Sequence, residues 1–177
     1  KALFDKKSAV FQNYYKYLFN LQDNISISDM RFEPDRENLD IASRKAGVNV
    51  TDRDVFPGGY QTLLSKRFGG VELSGGEWQR VAIARGFYRE SNVIVLDEPT
   101  AAIDPIEEGN VYRKFIEISK GKTAIIITHR LGSTKIANKI VVMQQGKIIQ
   151  TGNHNTLMQQ DGVYKTMYES QSMWYKD

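Results

Sequence analysis

Two stretches decide the fold: Leu73-Ser74-Gly75-Gly76-Glu77-Trp78-Gln79-Arg80, and downstream of it Val93-Ile94-Val95-Leu96-Asp97-Glu98-Pro99-Thr100. In the first, Ser74 can cap the helix that follows. Gly75 and Gly76 have no side chains, so an anion can come close to their N–H groups, and the helix start adds partial positive charge. In the second, a β-branched apolar run ends in two carboxylates. Such a run reads as a buried strand of the parallel type. Taken singly, each has a bland alternative: a turn, and a solvated acid pair at a strand end. Together and in this order they point to a phosphate-handling site.

Working outward, ligands of parallel sheets gather at the carboxyl ends of the strands. Asp97 is placed there to hold Mg2+, through water. Glu98 is placed to orient or deprotonate an attacking water, which typically supplies ~10²–10⁴-fold in rate. Thr123 to Thr128 reads as a second buried strand, and His129 ends it on the same rim. An imidazole there can donate to a terminal phosphate. His154 lies in a polar turn and receives no role. Gln12 follows the short apolar run Ala9 to Phe11.

The helices have local causes. Pro34-Asp35 opens one, with Leu39, Ala42 and Ala46 at helical spacing and Gly47 as its stop. Thr51 is a candidate cap for a short helix through Phe56. Trp78 to Tyr88 has little polar face and is expected to be largely buried. Asp104-Pro105-Ile106-Glu107 has a capping residue, a proline at the first helical position and an acid behind it. A short helix is expected around Ser133 to Asn138. Ile140 to Gln144 and Lys147 to Gln150 form a hairpin across Gln145-Gly146, and Val163 to Trp174 an amphipathic helix. Strand–helix alternation in the second half argues for an α/β sheet.

Gly121-Lys122-Thr123 mimics the end of a GxxxxGK[ST] phosphate loop. That motif needs a glycine five positions before its last one, and this chain has Ile116 there, inside a helix. The run also leads into a strand, whereas a phosphate loop opens a helix.

Composition sets bounds. A length of 177 residues, 41% of them apolar, suits one domain or one with a subdomain. The net charge is +3 without a Lys/Arg block, which argues against nucleic acid as a partner. The absence of cysteine excludes disulfides and thiolate metal sites and fits a reducing compartment. No run approaches the ~18 apolar residues of a membrane span, and no signal peptide is evident. The first residue is Lys1, so the chain reads as a piece of something longer.

These motifs resemble, in order and across nearly the whole chain, the ATP-binding-cassette (ABC) nucleotide-binding domain. Ala9 to Gln12 resembles the Q-loop, Leu73 to Gln79 the signature, and Val93 to Glu98 the Walker B strand with its catalytic acid. Ala101-Ala102-Ile103-Asp104 resembles the D-loop, and Thr128 to Leu131 the switch-histidine loop. The resemblance implies an incomplete P-loop NTPase fold with a mainly parallel sheet core plus an α-helical subdomain. Its boundaries would be 1–25 for the core end with the Q-loop, 26–90 for a mainly helical subdomain with the signature, and 91–177 for the rest of the core. It implies ATP and Mg2+ as cofactors. Gln12, Glu98 and His129 would be catalytic, and Asp97 and Gln12 would hold the metal. Ser74, Gly75, Gly76, Glu77 and Asp104 would face the nucleotide of a second such domain in a head-to-tail dimer. A transmembrane domain would be the other partner, touched by the aromatics Tyr14 to Phe19, at the cytoplasmic face of the membrane. Trp78 after the glycines, the His129 to Ser133 stretch and Gly152-Asn153-His154 are similar to peptide and lantibiotic exporters.

There are departures. Glu77 replaces a commoner glutamine, Ala101 the usual D-loop serine, and Ser65-Lys66-Arg67-Phe68 is basic where exporters carry an acidic segment. No GxxxxGK[ST] run is present. Losing some four charge-assisted phosphate bonds would forfeit ~6–12 kcal/mol, against about 8 kcal/mol for a micromolar site. The chain alone is therefore expected to be inactive. A soluble ABC ATPase of DNA repair or translation is the alternative class, and would carry long coiled coils or basic insertions. A non-catalytic subunit lending its signature is another, against which Glu98 and His129 argue.

Overall fold

The computed structural model describes residues 6–11, 13–98, 109, 112, 113, 115, 116 and 119–173. The chain divides into two compact units, residues 1–127 and 128–177.

The first unit is built on a parallel sheet. Strand β1 (Lys7–Val10) pairs with β2 (Val93–Asp97), and β2 pairs with β3 (Thr123–Ile127), in the order β1–β2–β3. Period-2 alternation drives Val10, Ile94 and Leu96 into the core. Helix α1 (Leu21–Ser26) is capped by Asn20, and α2 (Arg36–Ala46) by Asp35, whose side chain accepts from the Asn38 amide. Gly47 closes α2 in the left-handed conformation, at φ 77°. Helix α3 (Gly75–Tyr88) packs against α1, α2 and β1. It buries Trp78, Gln79, Val81, Ala82, Ile83, Ala84 and Gly86, as its nearly unbroken apolar sequence requires. Tyr60 donates to the Ser43 hydroxyl at 3.0 Å, and burial pushes its phenol up to about 12, so it remains a donor. The described residues between 109 and 119 are helical, with Tyr112 and Phe115 buried. The helix start at Asp104 lies outside the described residues.

The second unit has its own core of Leu131, Ile140, Leu157 and Tyr164. The short helix expected around Ser133 to Asn138 is a 3-10 helix that spans Leu131–Ile136. Strands β4 (Ile140–Gln144) and β5 (Lys147–Gly152) form the antiparallel hairpin, turning on Gln145 and Gly146 at φ 48° and 74°. Helix α4 (His154–Met158) follows its cap Asn153, and α5 runs from Val163 to Met173.

Three expectations change. Between residues 26 and 90, helix is confined to α2, α3 and the end of α1, with 3-10 turns at Gly59–Gln61 and Lys66–Phe68 and irregular chain between them. Thr51 caps no helix. Asp52 instead accepts from the Asp54 and Val55 amides, an Asx-type turn that competes with helix formation. Strand β3 is not buried: Ile125 is 45% and Ile127 51% exposed. It is the last strand of the described sheet, and of its isoleucines Ile126 alone packs against the core.

Candidate functional site

The signature turn is built as its residue types dictate. Ser74 Oγ accepts from the Glu77 amide at 3.3 Å, and the Ser74 amide donates to Glu77 Oε2 at 2.6 Å. This reciprocal capping box accounts for two donors of the first turn. Gly75 is exposed and Gly76 half-buried. A Cβ built on Gly75 would meet no atom within 4 Å. The chain's own packing therefore does not demand glycine there, and the cradle is open to a group from outside.

The far end of the same helix is tied to the sheet. Ser8 Oγ donates to the Gly86 carbonyl at 2.6 Å. A Cβ on Gly86 would lie 2.4 Å from Val10 Cγ2, so this glycine is set by close approach of helix and strand. From Gly75 to Gly86 the helix axis runs about 16 Å, at roughly 1.5 Å per residue.

Strand β2 brings Asp97 and Glu98 together at the carboxyl end of the sheet, both half-buried. The Glu98 amide donates to the Ile127 carbonyl at 2.9 Å, one bond beyond the Asp97–Ile127 register pair. Glu98 itself stands at φ 47°. For a residue other than glycine this left-handed conformation is costly, by about 1–3 kcal/mol, and such outliers cluster at functional sites. For Mg2+, which keeps several waters and needs only one or two carboxylates, Asp97 is a suitable oxygen donor. Among the described residues no group of three or more acids, histidines and cysteines could hold a metal ion.

His129 belongs to the second unit. It follows the end of β3 by two residues, is exposed, and its carbonyl accepts from Gln171 Nε2 at 2.5 Å. Gln12 and Asp104, with the rest of Pro99 to Glu108, lie outside the described residues. The decoy Gly121-Lys122-Thr123 is a helix-to-strand turn: Gly121 has φ 76°, the Lys122 amide donates to the Ser119 carbonyl, and Thr123 begins β3.

Two contacts escaped the sequence. Tyr14 donates its hydroxyl to the Gly75 carbonyl at 3.0 Å, and burial raises its phenol, keeping it a donor. Arg85 bonds the Asn24 carbonyl at 2.8 Å, Asn24 Oδ1 at 3.1 Å and the Tyr15 carbonyl at 3.2 Å, beneath the Tyr17 ring. Helix α3 is thus fastened near both ends to the segment after Gln12. That segment also carries a stack of Tyr15, Tyr17 and Phe19, with Tyr15 76% exposed.

A family model described as ABC transporter matches residues 4–101, more than half of the chain. The chain belongs to the ABC transporter family. Its α/β sheet with the signature helix is the P-loop NTPase fold of ABC exporters. Over 97% of its length it superposes on a bacterial Atm1-family ABC exporter solved with ATP bound, at a TM-score of 0.86 and 29% identity, covering 29% of that chain. This ABC chain is 33% identical to the nisin transport ATP-binding protein NisT of Lactococcus lactis subsp. lactis, over 96% of its own length. It is 37% identical to the subtilin transport ATP-binding protein SpaT of Bacillus subtilis. It is 36% identical to an ATP-dependent lipid A-core flippase of Legionella pneumophila subsp. pneumophila. It spans 28%, 27% and 28% of the lengths of these three relatives. Among the described residues no helix is long and apolar enough to cross a membrane.

Proposed function

We propose that these residues form part of the ATP-hydrolysing domain of a membrane exporter, working at the cytoplasmic face of the membrane. ATP with Mg2+ supplies the phosphoryl group whose transfer to water drives export. Asp97 holds the metal through water, with Gln12. Glu98 orients the attacking water and takes its proton. His129 donates to the terminal phosphate. Ser74, Gly75, Gly76 and Glu77, with Asp104 beside them, meet nucleotide carried by a second copy of the domain. Residues 26–90 act as the signature-bearing subdomain, and the stack of Tyr15, Tyr17 and Phe19, exposed at Tyr15 and Phe19, faces the transmembrane domain. The cargo we favour is a peptide, following the names NisT and SpaT. The flippase of similar identity implies that cargo is chosen by residues outside this stretch.

The observation that carries the reading is the pair Asp97–Glu98 at the carboxyl end of a parallel strand, with Glu98 held at φ 47°. The about 16 Å of α3 between its contact with β1 and its open amide cradle supports a cradle that serves a second molecule. The test is Glu98→Gln in the full-length protein. ATP binding should survive, while turnover falls by about 10²-fold or more. Unchanged turnover removes Glu98 from the base role. A second test concerns the 177 residues alone. Without a GxxxxGK[ST] run they should give no calorimetric signal with Mg-ATP at micromolar concentration, and a micromolar titration would contradict this.

A further inference from the structure

We infer that Gln171 is a positioning residue for His129, clamping the backbone that carries the imidazole. This rests on the role proposed for His129, and goes beyond it in assigning a task to the far end of α5.

Gln171 Nε2 donates to the His129 carbonyl at 2.5 Å, and the Leu131 amide donates to Gln171 Oε1 at 2.8 Å. The orientation of the side-chain amide is forced, because a carbonyl can only accept and a backbone N–H can only donate. A primary amide offers donor and acceptor side by side, as a neighbouring strand would, so it fixes the peptide planes on both sides of Arg130. The Arg130 amide donates to Thr128 Oγ1 at 2.9 Å. The Ser133 hydroxyl donates to the Arg130 carbonyl at 2.8 Å. With the backbone from 128 to 131 held in this way, the direction in which the His129 side chain leaves the backbone is fixed.

The clamp has a firm base. Tyr164 and Tyr168 lie on the same face of α5 as Gln171, at heptad-like spacing. The Tyr164 hydroxyl sits 2.6 Å from Thr134 Oγ1, in the turn just after the clamped loop, and 2.9 Å from His154 Nδ1. Lys135 Nζ lies 5.4 Å from the centre of the Tyr168 ring. Tyr164 is fully buried, at 1% exposure. The helix is therefore anchored by its buried aromatic, and its next turns carry the amide to the loop. The two Gln171 bonds are no part of the α5 ladder, since Gln171 is partly exposed and makes both of them outside its own helix.

The test uses the full-length protein and four variants, with kcat, KM for ATP and thermal midpoint measured for each. His129→Ala should abolish turnover. Gln171→Met, of similar size but without hydrogen bonds, should lower kcat by about 10- to 100-fold and leave KM within about twofold, the signature of a misplaced group rather than weakened binding. Gln171→Glu keeps an acceptor for the Leu131 amide but turns its other oxygen toward the His129 carbonyl, where two acceptors repel, and should lower kcat at least as much as Gln171→Met. It carries the test if Gln171→Met does not fold. Ser170→Ala removes only a bond to the Thr166 carbonyl within the helix and should leave kcat unchanged. If His129→Ala abolishes turnover while both Gln171 variants match the parent, the positioning role is overturned and the function reading stands. Turnover that survives His129→Ala overturns both. A kcat loss in Ser170→Ala equal to that in Gln171→Met, or a KM rise matching the kcat loss, also overturns the clamp.

Discussion

Gly75 and Gly86 lie at opposite ends of α3 and are glycine for opposite reasons. At Gly86 a methyl group would collide with Val10 at 2.4 Å, whereas at Gly75 it would touch nothing within 4 Å. The first glycine is explained from within the chain. The second has no internal explanation and calls for one outside. A single helix thus carries one end locked to the sheet and one end where a side chain would meet nothing, the end we propose to meet nucleotide. Tyr14 and Arg85 join both ends to the segment after Gln12.

The comparison can be broken or sharpened by substitutions read in chemical denaturation. The largest effect is expected for Gly86→Val, which forces a branched side chain between α3 and β1 and should cost about 3 kcal/mol. An unchanged midpoint would mean that helix and strand are not in close contact. Arg85→Met keeps length and apolar stem but leaves the carbonyls of Asn24 and Tyr15 without their donor. A loss of about 2 kcal/mol is expected, and no loss would remove the guanidinium as a fastener. Tyr14→Phe deletes one hydroxyl bond to the Gly75 carbonyl and should cost about 1 kcal/mol. Gly75→Ala is expected to change stability least, by about 0.5 kcal/mol or less, while lowering ATP turnover of the full-length protein. A large stability loss at Gly75 would erase the contrast with Gly86.

The parts legible in the sequence are those set by near neighbours. The capping box of Ser74 and Glu77 spans three positions, and the β2 strand with its terminal acids is contiguous. The hairpin turn at Gln145-Gly146 and the stop at Gly47 are local conformational demands. The exposure of Ile125 and Ile127 was not legible, because side-chain type reports propensity and burial together and only the sheet order separates them. Tyr14 and Gln171 escaped for a different reason. Their partners lie 61 and 42 residues away, and a tyrosine or glutamine on a partly exposed face has many bland uses. At Thr51 the converse happened: a residue type that often caps helices stands beside Asp52, which makes a turn of its own.

The central claim is that the cradle at Gly75 serves nucleotide held by another copy, while Glu98 serves the chain's own. It is tested most directly by mixing two inactive full-length variants, Glu98→Gln and Gly75→Asp, and measuring single-turnover ATP hydrolysis. If the cradle acts across the dimer, one site in each mixed dimer has an intact Glu98 and an intact cradle, and hydrolysis reappears on mixing. If the cradle served its own chain, every site would carry a defect, and the mixture would be as inactive as its components.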